Sequence, residues 1–160
     1  MLKSEARKFS DSHMEKVKKI VGPFLMEVST EYRDMNHCSD LTVTPGVKDI
    51  GYRIRTDAYA ARYPWDVTIR SKLSNGAKTE LAKIVDGEGD LFFYGHSAGG
   101  VIHRWFLLDC DGIRDHLRDG PIRHVPNFDG TFFYPMDVRK VSGAVISSSH
   151  KLPEEQLALI

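Results

Sequence analysis

Apolar residues in the first part of the chain recur in steps of three and four. Leu2, Ala6, Phe9, His13, Val17, Ile20, Val21, Phe24, Leu25 and Val28 make one helical stripe. Gly22-Pro23 interrupts it, because proline lacks an amide hydrogen and its ring collides with the preceding turn. The pattern predicts two helical pieces, near Ser10–Val21 and Pro23–Thr30. The period then changes to two. Asp40–Thr44 alternates, Pro45-Gly46 is a turn dipeptide, and Val47–Arg55 alternates again with Ile50, Tyr52 and Ile54 on one face. Trp65–Ser71 repeats the alternation. These three segments predict an antiparallel meander with one apolar and one polar face.

Downstream, Lys78–Val85 fits a short helix stopped by Asp86-Gly87. Leu91–Gly95 and Val101–Asp109 fit strands joined by a Gly-rich loop. Asp111–Arg118 fits a polar helix, Asp129-Gly130 a hairpin turn between Ile122–Phe128 and Thr131–Val138, and Gly143–Ser148 a last strand. The expected architecture is a single α+β domain over residues 1–160. It has a mostly antiparallel sheet built on the meander and helices at the N-terminal end.

Composition excludes several classes. Lys+Arg and Asp+Glu are both 22, so net charge is zero and binding through bulk charge is ruled out. No apolar run is long enough to span a membrane, and the first residues lack a signal-peptide core. Cys38 and Cys110 are too few for a disulfide framework and read as reduced thiols of a cytoplasmic protein. The seven histidines show no metal-ligand spacing.

Gly95-His96-Ser97-Ala98-Gly99 after an apolar strand has the written form of a serine-hydrolase elbow, with Asp137 and His150 following in triad order. That elbow requires a helix after the serine, whereas Val101–Asp109 is dense in branched and aromatic residues and fits a strand. A hairpin connection therefore explains the motif better than a nucleophile at Ser97.

The polar face of the meander is a second candidate. With a two-residue Pro45-Gly46 connection, Thr42 would oppose Asp49 and Asp40 would oppose Gly51, bringing Asp40, Asp49 and Arg53 to one face. The third strand would add Asp66 and Arg70. Such carboxylates could hold Mg²⁺ through oxygen ligands, with guanidiniums to stabilise a phosphodiester. The plainer alternative is a set of cross-strand salt pairs. Arg53, Arg55, Arg62, Arg70 and Lys72 are also interleaved with Tyr52, Tyr59, Tyr63 and Trp65, a basic-aromatic pattern suited to phosphate contact and base stacking.

Ser39-Asp40-Leu41, Ile54-Arg55, Val67–Ser71, Gly76–Ile84, Gly89-Asp90, Phe93–Gly95, Trp105–Asp109, Asp129-Gly130 and Asp137-Val138 are spread over about two-thirds of the chain. In these blocks the chain resembles uncharacterised phage and prophage proteins with a PD-(D/E)XK nuclease-like pattern. The resemblance implies a nucleic-acid-processing protein of an infected or lysogenic bacterial cell, cleaving phosphodiesters with Mg²⁺. It assigns Asp40, Asp66 and Arg53 to catalysis, with Asp40, Asp49 and Asp66 as metal ligands. Arg55, Arg70, Lys72 and Tyr63 would hold the substrate. The (D/E)-x-K tripeptide falls on Gly51-Tyr52-Arg53, so its acid is missing and arginine replaces lysine. Arginine is never deprotonated and is bulkier than lysine. The alternative is therefore an inactive relative that binds nucleic acid or a host protein, for example in counter-defence.

Overall fold

The computed structural model describes residues 3–28, 41–43, 46–47 and 49–152. The chain forms two compact units, Met1–Lys48 and Asp49–Ile160.

In the first unit, α1 (Lys3–Asp11) and α2 (Met14–Val21) are separate helices. The stripe has the expected spacing, since His13, Val17 and Val21 are all buried at intervals of four. The imidazole Nδ1 of His13 lies 2.7 Å from the Phe9 carbonyl, at the break between the helices. Gly22–Phe24 tightens into a 3₁₀ turn with proline in its first positions. Over the described residues 23–28 the expected second helix does not form. Met26–Val28 is instead a strand, β1, antiparallel to β2 (Leu41–Val43).

Thr42 opposes Glu27. The meander does not form, because its second and third strands enter different sheets. The next strand, β3 (Ile50–Thr56), pairs in parallel with β5 (Leu91–Ala98). The third expected meander strand, β4 (Asp66–Lys72), belongs to another sheet, where it pairs antiparallel with β8 (Phe132–Asp137). Periodicity located β3 and β4 as strands but carried no information about their partners, which sequence-distant contacts decide.

The larger unit therefore holds two sheets. One has the order β3-β5-β6-β9, with β6 at Val101–Asp109 and β9 at Val145–Ser148. The other has the order β4-β8-β7, with β7 at Val125–Pro126. Apart from β3–β5, every pairing among the described residues is antiparallel. Three helices complete the unit: α3 (Asp57–Arg62), α4 (Glu80–Val85) and α5 (Cys110–Arg118). Two of the three are capped by side chains. Thr79 accepts from the Ala82 amide, and Asp109 accepts from the amides of Asp111 and Gly112.

The core lies between these layers. Val67 and Ile69 of β4 pack with Phe92 and Tyr94 of β5, Phe106 and Leu108 of β6, and Leu81, Ile84 and Ile113 of the helices. Gly112 lets α5 approach the following 3₁₀ segment (Val138–Ala144), because a Cβ there would lie 2.6 Å from that of Ala144. Cys110 is a buried free thiol whose pKa burial pushes up to about 11. Among the described residues no helix is long and apolar enough to cross a membrane.

Candidate functional site

The β5–β6 hairpin settles the geometry of the glycine-rich motif. Gly99 and Gly100 both have positive φ, at 55° and 77°, and connect Ala98 to Val101 as a two-residue turn. Ser97 lies within β5, and a strand follows it, so the strand-to-helix elbow is not formed. The other proposed triad members are engaged locally. Asp137 takes two contacts from Arg139, at 2.9 and 2.6 Å, and His150 Nδ1 sits 2.8 Å from Ser149 Oγ. Gly95 serves packing instead, since a Cβ there would come within 3.0 Å of Ile54 Cδ1.

Because β3 and β5 run parallel with Ile54 beside Gly95, Arg55 is placed beside His96. Past these residues the core gives way to a cavity of about 210 Å³. Its walls are Arg55, Tyr59, Tyr63, Asp66, Thr68, Tyr94, His96, Arg123, Val125, Phe133 and Pro135. The floor is deeply buried, with Tyr94 and His96 each 1% exposed. The mouth is open, with Tyr59 and Tyr63 at 44% and 45% and Arg123 exposed.

Each wall residue has a local cause. The chain turns from β3 into α3 directly after Thr56, which brings Tyr59 back over Arg55, whose Cζ lies 4.3 Å from the ring centroid. Among the described residues Arg55 makes no ion pair, and burial, then the neighbouring Arg53, depress its pKa. The Tyr94 hydroxyl is held 2.9 Å from Thr68 Oγ1. The His96 ring stands edge-on to Tyr94 at 5.3 Å, and its Nδ1 is buried without a hydrogen-bond partner. Burial, then Arg104, push His96 down to about 4, so the imidazole is neutral at pH 7. Arg104 itself is fixed by the Pro64 carbonyl at 3.0 Å and by the Trp65 ring. Asp66 faces Asp137 across the β4–β8 ladder; burial, then that second carboxylate, raise its pKa.

Of the residues expected to act, Arg55, Tyr63 and Asp66 therefore meet in one cavity. The others do not join them. Arg53 is 8% exposed and is neutralised by Glu80 at 2.9 Å. The same carboxylate oxygen accepts the Arg70 backbone amide at 3.1 Å. A structural tie thus replaces the expected transition-state cation at Arg53. Arg70 has a buried Nε without a partner but does not line the cavity. Lys72 lies over the Phe132 ring at 5.6 Å. Asp49 precedes β3, six residues before Arg55 and so about 20 Å from it along the strand. Its amide donates to Asp90 Oδ2. Asp40 lies outside the described residues. Asp66 lies on β4, in a different sheet from β3, so Asp49 and Asp66 do not share the expected sheet face. Among the described residues no three His, Cys, Asp or Glu side chains gather to hold a metal. Of the expected metal ligands, Asp66 lines the cavity, and its cross-strand neighbour Asp137 is held by Arg139.

Sequence reasoning missed His96, Tyr94 and Arg123. The available signal was a histidine and a tyrosine alternating on one face of an otherwise apolar strand. A scan against family models, a search of curated proteins and a search of solved structures each found no match to this chain.

Proposed function

We propose that the Asp49–Ile160 unit binds single-stranded nucleic acid, with a phosphate held at Arg55 and Arg123 and an unpaired base against Tyr59 and Tyr63. The observation that carries this reading is the Arg55 guanidinium, stacked on Tyr59 at a cavity wall and making no ion pair among the described residues. A half-buried cation without an ion-pair partner is left under-compensated, and a phosphate entering the cavity offsets that cost. Aromatic rings at the mouth supply faces that any base can stack on. Binding is preferred over metal-dependent cleavage because two guanidiniums and, at the mouth, two tyrosines line the cavity against a single carboxylate.

The test is fluorescence anisotropy with single- and double-stranded DNA and RNA over a salt series, with and without Mg²⁺. Single strands should bind with affinity that falls with salt. Arg55→Ala and Arg123→Ala should each reduce the logarithmic salt slope by about 0.7. Tyr59→Ala should weaken binding by about 1–3 kcal/mol. Absence of single-strand binding at low salt overturns the reading, and Mg²⁺-dependent cleavage would restore the nuclease.

A further inference from the structure

The cavity narrows what part of a strand enters it. We propose that it receives a terminal phosphate monoester of a nucleic-acid strand, with His96 as the hydrogen-bonding contact at its floor and Arg55 as the charged clamp on its wall. This rests on the nucleic-acid reading given above and adds a chemical class of end.

Two observations point to an end rather than an internal phosphodiester. First, the floor is closed. Tyr94 and His96 are 1% exposed, whereas entry lies past Tyr59, Tyr63 and Arg123. An internal phosphate carries a sugar on each side and would need two exits. A monoester enters end-on and leaves its nucleoside at the tyrosines. Second, the floor holds an unused polar group. His96 lines the cavity and its Nδ1 has no partner in the protein. A buried ring nitrogen in this condition lacks a hydrogen bond that a ligand oxygen or hydroxyl can supply. A monoester brings terminal oxygens, one of them protonated part of the time near neutral pH, so it can donate to or accept from the imidazole. The charged and titratable groups around His96 are Arg55, Arg104, Asp57 and His103, with Asp66 and Arg123 elsewhere on the cavity wall. Asp66 is the single acid of that wall and opposes an anion. Arg55 and Arg123 outweigh it.

The Gly95-His96-Ser97 motif thereby gains a role unrelated to a serine nucleophile. Gly95 sets the strand packing that puts His96 at the floor, and His96 meets the ligand.

The experiment compares one single-stranded oligonucleotide sequence with a 5′-phosphate, a 3′-phosphate or hydroxyl ends, bound to the full chain. The expected result is tighter binding of one phosphorylated end, by about tenfold or more, as one charge-assisted hydrogen bond supplies. The arm that gains identifies which end enters. Inorganic phosphate should compete selectively with that oligonucleotide. His96→Phe should abolish the preference while hydroxyl-ended strands still bind, and Arg55→Gln should abolish the preference and also weaken hydroxyl-ended strands. If His96→Phe does not fold, Arg55→Gln decides. Equal binding of all three ends overturns this inference and leaves single-strand binding standing. Preference retained in folded Arg55→Gln overturns the location. No binding of any oligonucleotide overturns both readings.

Discussion

Glu80→Ala tests whether Arg53 is a structural cation or a functional one. Glu80 opens α4 and sends one oxygen to two partners, Arg53 Nη1 at 2.9 Å and the Arg70 amide at 3.1 Å. The Arg53 side chain is 9% exposed, and Glu80 is 35% exposed. Removing the carboxylate leaves a buried guanidinium next to Arg55 and a backbone amide without its acceptor. Breaking a fully buried pair costs about 3–5 kcal/mol. Glu80 is about one-third exposed, so water can partly replace it, and the expected loss is about 2–3 kcal/mol. For a unit of this size that lowers Tm by roughly 6–15 °C. Urea unfolding of Glu80→Ala, Arg53→Met and the double variant forms the assay. The double variant should be more stable than Glu80→Ala alone, because an unpaired buried charge has been removed. Oligonucleotide binding by folded Arg53→Met should remain within a few-fold of the parent. A loss below about 0.5 kcal/mol for Glu80→Ala, or strictly additive effects, would refute the structural role.

Three further predictions follow from particular side chains. His96 has a folded pKa of about 4 against an ordinary 6.5, so the unfolded chain binds its proton first as pH falls; stability should drop by up to about 3 kcal/mol between pH 6.5 and 4, and His96→Phe should flatten that part of the urea-unfolding profile. Gly112→Ala forces a Cβ to 2.8 Å from the Ala144 Cα; overpacking of about 1–3 kcal/mol, against about 1 kcal/mol of helix propensity gained, should leave a net loss, and an unchanged or raised urea midpoint would contradict the close approach. Asp66 has a raised pKa, so its charge opposes folding at neutral pH; Asp66→Asn should raise Tm at pH 7 but not at a pH low enough to protonate the native carboxyl, and should tighten binding of the phosphorylated oligonucleotide.

The sequence was most legible where the signal is local. The Asp129-Gly130 turn and the Gly99-Gly100 hairpin depend on neighbouring residues, and each forms as expected. Asp129 shows why: its carboxylate accepts from both the Thr131 amide and hydroxyl, which closes the turn without distant help. The α+β class and the predominance of antiparallel pairing were also readable. Strand partnership was not. Alternation in Ile50–Thr56 identifies a strand and its faces, but Leu91–Ser97 lies beside it only because the chain crosses over through β4 and α4. Alternation in Ile50–Thr56 and Trp65–Ser71 favoured a meander whose strands β3 and β4 in fact lie in different sheets. The site was legible to the same extent. Arg55 and Tyr63 belong to one basic-aromatic segment, whereas His96 reaches them only through the parallel pairing.

That parallel pairing explains why the cavity lies where it does. Antiparallel neighbours bring opposite strand ends together, whereas β3 and β5 end on the same side. Their C-terminal portions carry Arg55 and His96, both pointing to the face that Tyr94 shares. Openings at the C-terminal ends of parallel strands are recurrent ligand sites in open α/β sheets. Here the pairing involves two strands, and register supplies the precision. Gly95 accepts Ile54 against it because it has no Cβ, and Ile54 is 7% exposed. A slip of one residue would bury Arg55 on the opposite face and expose Ile54, so the packing of one isoleucine against one glycine fixes the position of the cationic wall. The polar groups are then added at the margin of an apolar core. Phe92, Phe106 and Leu108 fill the interior, while Arg55 and His96 occupy the next positions outward on the same face, where a ligand can complete contacts that the protein leaves unmade.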